Sequence, residues 1–191
     1  MLRENVSNNK LAKAFSQVYN TQLFWIASFA LLMVFAGQLA VPVKPVPFTL
    51  QTMIVVLSGA FLGARNGMLS QILYLAMGTV GIPVFAGFSF GPAALFGFTG
   101  GYLLAFPIAA FAVGYLVEKS DKLGNVILAM SLGVLIILFM GASYLSLFFD
   151  GNISSALFSG AIIFSLWDLI KIAAAVSIYK TVSKKYPKLP Y

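Results

Sequence analysis

The chain contains no cysteine and no histidine in 191 residues. Without cysteine it has no disulfides, thiolate metal sites or cysteine nucleophiles. Without histidine, the usual zinc sites, Ser-His-Asp chemistry and histidine proton relays each lose a necessary part. Charge is scarce as well: 12 Lys and Arg with 5 Asp and Glu make 9% of the chain, against about 25% in a soluble domain. No Gly-x-x-x-x-Gly-Lys-Ser/Thr segment occurs, so ATP has no ordinary P-loop here. If this chain takes part in ATP-driven transport, a partner must supply the ATPase.

What the chain has in quantity is apolar surface, 60% hydrophobic residues with a mean hydropathy of +0.95. It reads as an all-α integral membrane protein. Crossing a bilayer takes about 20 mainly apolar helical residues, somewhat fewer or more with tilt. Six stretches qualify, at about residues 21–41, 48–62, 68–80, 99–117, 126–148 and 156–179. The first ends at the proline-rich run 41–47, which cannot continue a helix. The second and third flank Gly63-Ala64-Arg65-Asn66-Gly67, a tight turn that makes them a helical hairpin. The expected organisation is a cytoplasmic or interfacial segment 1–20, a six-helix transmembrane substrate-binding domain 21–183 and a basic cytoplasmic tail 184–191. Segment 1–20 lacks the pattern of a cleaved secretory signal.

Basic residues test this parse, because cytoplasmic flanks are enriched in them. With both termini inside, Arg3, Lys10, Lys13, Arg65, Lys119, Lys122, Lys180, Lys184, Lys185 and Lys188 face the cytoplasm, and only Lys44 lies outside. Topology thus accounts for the net charge of +7 without nucleic acid as a partner.

Lys171 remains, and it falls inside the sixth stretch three residues after Asp168. That spacing puts both on one helical face, about 18 to 22 Å along a helix starting at 156. A charge in hydrocarbon costs several kcal/mol, roughly, on insertion scales and calls for a partner, a cavity or a function. Either the pair is a structural salt bridge, or it serves a ligand or ion. Asp168 can accept from a ligand N–H, and Lys171 can meet a carboxylate. A glycine-broken loop follows the third stretch, with Phe85, Phe88 and Phe90 between Gly81, Gly87 and Gly91. Non-helical backbone at membrane depth lines a cavity or is buried in protein, so these phenylalanines, with Phe96 and Phe98 further along, are candidates for an apolar lid or wall; the alternative is an interfacial aromatic belt packed against lipid. Phe48, Thr49 and Gln51 begin the second stretch beside rigid prolines, as one wall of an outward-facing pocket would. Gln51 and Tyr74 are each candidates for a ligand contact or an interhelical hydrogen bond.

Three functions remain open on these residues: a ligand-capture subunit, a stand-alone ion-coupled carrier of a small carboxylate with Asp168 as its protonatable group, and an intramembrane enzyme. The enzyme has thin support, since one Asp and one Lys are all it would have to work with.

Five segments in chain order carry a resemblance: Val46-Pro47-Phe48-Thr49-Leu50-Gln51-Thr52, Leu62-Gly63-Ala64-Arg65-Asn66-Gly67, Gly81-Ile82-Pro83-Val84-Phe85-Ala86-Gly87, Thr99-Gly100-Gly101-Tyr102-Leu103 and Asp168-Leu169-Ile170-Lys171. In these the chain resembles the biotin-specific substrate-capture subunits (S components, BioY type) of energy-coupling factor transporters. The resemblance implies a six-helix subunit of a prokaryotic cell membrane that binds biotin from outside. It also implies a transmembrane coupling subunit and two cytoplasmic ATPases as partners, with no enzyme activity and no cofactor. The family's binding residues carry over to Asp168 and Lys171, and to Phe48, Thr49, Gln51, Phe85, Ala86 and Gly87. Which end of biotin Asp168 and Lys171 each meet stays open.

Overall fold

A computed structural model of the chain describes residues 21–185. The expected N-terminal segment 1–20, and residues 186–191 of the expected tail, lie outside the described residues.

The first helix, α1 (Gln22–Gln38), starts at Thr21, whose hydroxyl accepts from the Phe24 N–H at 3.3 Å. It is followed by the two-residue strands β1 (Ala40–Val41) and β2 (Phe48–Thr49), paired antiparallel around the proline-rich run. This small β element modifies the all-α expectation. It also delays the second helix to Gln51, because Phe48 and Thr49 are committed to strand pairing.

Helix α2 (Gln51–Thr79) consists of two arms, 51–62 and 64–79, that meet at Gly63 with φ 78° and ψ 177°. Gln51 donates to the Tyr74 hydroxyl at 2.6 Å, and Gln71 to the Ser58 hydroxyl at 2.9 Å. In a straight helix Gln51 and Tyr74 would stand roughly 35 Å apart at 1.5 Å per residue, so the arms fold back on each other as a hairpin. The turn is one residue, not the five expected: Ala64 to Gly67 already belong to the second arm. Gly63 adopts a conformation that costs other residues strain. The Glu118 carboxylate accepts from the Ala64 N–H at 2.7 Å and caps the arm that begins there.

The second arm ends in a loop holding the short helix α3 (Pro92–Phe96). Helix α4 (Gly100–Lys119) then returns along α2, its most extensive partner. The close approach needs Gly114, where a Cβ would overlap the backbone of Gly63 and Ala64. Helix α5 (Leu123–Leu145) packs on α4, and α6 (Ile153–Gly160) leads to Ala161, where the helix breaks. A single 3-10 turn over Ile162–Phe164 restarts the chain as α7 (Ser165–Lys185). The expected continuous sixth helix from 156 is therefore broken, and Asp168 sits in the first turn of α7 instead of mid-helix.

Among the described residues, four helical stretches are long and apolar enough to cross a membrane, Gln51–Thr79, Gly100–Lys119, Leu123–Phe148 and Ile153–Lys185. With the apolar 17-residue α1, the arms of α2 counted separately and α6 and α7 counted together, the described residues form six helical stretches in the bundle. At 1.5 Å per residue the arms span roughly 18 and 24 Å, less than the ~30 Å hydrocarbon core. The loops at 39–50, 80–99 and 146–164 gather at one end of the bundle, and the turns at Gly63 and 120–122 at the other.

Candidate functional site

At the loop end lies a cavity of about 210 Å³ between α2, α4, α5 and α7. Its floor is the charged pair. Lys171 Nζ lies 2.5 Å from Asp168 Oδ1, and both residues are buried, 8% and 3% exposed. The ammonium also donates to the Thr52 hydroxyl at 2.6 Å and to the Thr49 carbonyl at 3.2 Å. An ammonium has three N–H donors, and here each has an acceptor within the protein. Thr52 Oγ1 lies 3.3 Å from Asp168 Oδ1 and can donate to it, which closes a compact ring.

The other carboxylate oxygen is different. Asp168 Oδ2 is buried and, among the described residues, has no hydrogen-bond partner. A buried charged acceptor left unmatched costs its full desolvation, so this atom is where a ligand gains most by bringing a donor. The break at Ala161 contributes to this placement. It makes Asp168 part of a helix N-terminal turn, where the macrodipole favours negative charge.

The walls are apolar. Tyr102, Leu103 and Phe106 come from α4, Ile137 and Leu138 from α5, and Phe164 from the 3-10 turn. Tyr102 donates to the Gly160 carbonyl at 2.7 Å and so ties α4 to the end of α6 just before the helix break. Polar groups elsewhere on the lining are few: Thr49, Gln51, Thr52, Ser89 and Thr99.

Of the residues singled out from sequence, Asp168, Lys171, Gln51, Thr49, Phe85 and Ala86 line the cavity together. Tyr74 stands one layer behind, fully buried, accepting from Gln51 and donating to the Val84 carbonyl at 3.2 Å. Phe48 reaches the wall through Phe164, with ring centroids 4.3 Å apart. Gly87 shapes the loop with φ 66° and touches nothing in the cavity. Phe90 is 58% exposed and does not line it, and neither does Phe88 at 66%. Of these three loop phenylalanines Phe85 alone lines the cavity, held edge-on against Tyr74 at 5.5 Å and seated over Gly78, where a Cβ would overlap its ring.

Thr52, Tyr102, Phe106 and Phe164 line the cavity and were not singled out as site residues. In the sequence Thr52 and Tyr102 stand inside segments that carry the resemblance, which was the only signal available. Phe106 and Phe164 look like any apolar residue in a membrane helix.

This geometry defines a multi-pass helical membrane protein with a small, largely apolar cavity lined at its floor by a buried carboxylate. The chain belongs to the BioY family, whose model it matches over residues 8–188. A probable biotin transporter BioY of Pyrococcus horikoshii is 40% identical over 153 residues, 80% of this chain and 90% of the relative. The biotin transporter BioY of Thermotoga maritima is 37% identical over 163 residues, 85% and 96% of the two chains. The fold matches the crystal structure of the S-component for biotin from an ECF-type ABC transporter. That match has a TM-score of 0.80 at 28% identity and covers 93% of this chain and 94% of the other. These relatives are transporters or transporter subunits, not enzymes.

Proposed function

We propose that this chain captures biotin from the extracellular side and delivers it for ATP-driven uptake, in company with an energy-coupling factor transmembrane subunit and two cytoplasmic ATPases. The observation that carries the reading is the unpartnered Oδ2 of Asp168, a residue that lines the floor of an apolar cavity. Biotin has a bicyclic head with two ureido N–H donors and an apolar valeryl chain ending in a carboxylate. Asp168 accepts from the ureido group, and the apolar walls take the bicycle and the chain. Lys171 has its three donors engaged already, so it acts as the residue that orients and charge-balances Asp168. The carboxylate is then left for the loop end, where Ser89 and Thr99 line the cavity. Supporting the partnership, the chain has no P-loop of its own and resembles a subunit of an ECF-type transporter.

The orientation follows from charge. Arg65, Lys119, Lys122, Lys180, Lys184 and Lys185 belong to the turn end of the bundle and Lys44 to the loop end. Under the positive-inside rule the turn end, where the described residues begin and end, is cytoplasmic and the cavity faces outward.

The test is uptake of labelled biotin into proteoliposomes containing this chain with a coupling subunit and ATPases. Accumulation that requires ATP and all the partners is the expected result. Accumulation by this chain alone, abolished by collapsing an ion gradient, would establish the ion-coupled carrier instead.

A further inference from the structure

The cavity wall formed by Phe85, Ala86 and Ser89 belongs to a compact loop. Phe85 N–H donates to the Ser89 carbonyl at 3.1 Å, and the chain between them turns tightly through Gly87 and Phe88, both at positive φ. On either side stand Gly81 and Gly91, again at positive φ, with open space where a Cβ would project. The flanks are secured to the end of the second arm of α2, Ile82 N–H to the Met77 carbonyl and Gly91 N–H to the Gly78 carbonyl. The stretch between is thus a small unit on glycine-bearing ends.

One side chain from a different helix grips it. Gln38, the last residue of α1, donates from Nε2 to the Phe85 carbonyl at 3.0 Å and to the Val84 carbonyl at 3.4 Å. Its Oε1 accepts from the Phe88 N–H at 3.1 Å. A single amide therefore satisfies two carbonyls and an N–H of the loop. Among the described residues, no other hydrogen bond reaches the 84–88 backbone from outside the loop and the second arm. Gly37 brings α1 close enough for this: a Cβ there would lie 3.2 Å from Gln51 Nε2 and 3.3 Å from the Val84 carbonyl.

The Val84 carbonyl also accepts from Tyr74, which accepts from Gln51, whose Oε1 accepts from Thr49; the Thr49 carbonyl accepts from Lys171. A continuous run of hydrogen bonds thus joins the cavity floor to the loop that Gln38 holds. We infer that Gln38 is the latch of this loop, a positioning residue that keeps the wall of Phe85, Ala86 and Ser89 closed on the ligand and sets how long the ligand stays. Loss of the latch opens the exit without altering the floor that recognises the ligand, so it acts on dissociation. The ligand in this inference is the biotin of the proposed function.

Two readouts test the latch in the full-length protein, using Gln38→Met, which keeps the length of the side chain, beside Gln38→Ala. In ligand-free protein, hydrogen exchange across residues 84–89 is expected to quicken in both variants, because the Phe88 N–H loses its acceptor and the loop its tie. Exchange at parental rates in that segment overturns the latch whether or not biotin is the ligand. With labelled biotin, the dissociation rate is expected to rise about tenfold, the loss of bonds worth ~1.4 kcal/mol, while the association rate changes less than about threefold. A parental dissociation rate, or a loss of affinity carried by association, also overturns it. If the parental protein binds no biotin at all, the functional proposal fails, and exchange alone decides the latch.

Discussion

Asp168→Asn is the substitution on which the site's logic bears most directly. Lys171 Nζ and the Thr52 hydroxyl both donate to Oδ1, so the asparagine amide will turn its oxygen to that side. Its nitrogen then takes the place of Oδ2, and a free acceptor becomes a donor. A hydrogen bond to a charged group contributes about 1.5–3 kcal/mol, and every ~1.4 kcal/mol is tenfold in affinity. Loss of one such bond predicts affinity for biotin weaker by roughly 10- to 150-fold. Donor facing donor places the result toward the upper end. The assay is calorimetric titration of purified protein with biotin, beside a thermal melt that separates binding from folding. The change also leaves the buried Lys171 ammonium without its counter-charge, so a lower melting midpoint is expected. An Asp168→Asn protein that, titrated well below its melt, binds within threefold of the parent would refute the assignment of Asp168 as the acceptor.

Lys171→Met strands a buried carboxylate without its counter-charge, which costs about 3–5 kcal/mol. Its melting midpoint should fall clearly, and the double variant Asp168→Asn with Lys171→Met should recover much of that midpoint while still failing to bind biotin. Gly114→Ala forces a Cβ into the backbone of Gly63 and Ala64, an overpacking cost of about 1–3 kcal/mol or more. Lower yield and a lower melting midpoint are expected, and an unchanged midpoint would count against the close α2–α4 approach. Glu118→Ala removes the cap on the Ala64 N–H and should cost about 0.5–2 kcal/mol of stability. Because the cap sits at the turn end, biotin affinity measured below the melt should be unchanged.

The charged pair was legible in the sequence because membrane segments carry so few charges that two on one face stand out. The hairpin was legible too, through the glycines around Arg65. That Gly63 alone turns the chain depends on the Glu118 cap from another helix, 54 residues away, which no local pattern announces. The break at Ala161 had a weaker signal, Ser159 and Gly160 in an otherwise apolar run without proline. It is held in part by Tyr102 reaching the Gly160 carbonyl. The loop phenylalanines show the limit of composition most plainly. Phe85, Phe88 and Phe90 read alike, yet Gly78 leaves a seat for one ring only, and that seat belongs to Phe85. Which polar atom was free could not be read at all. Lys171 looked available for a carboxylate until Thr49 and Thr52 proved to use its remaining donors.

The most direct test of the account is an experimental structure of this protein with biotin bound, at a resolution that orients the ureido ring. The account predicts the ring at the cavity floor, with a ureido nitrogen within hydrogen-bonding distance of Asp168 Oδ2, and the ion pair with Lys171 intact. Biotin bound with its carboxylate on Lys171 and its ureido group away from Asp168, or bound outside this cavity, would contradict it.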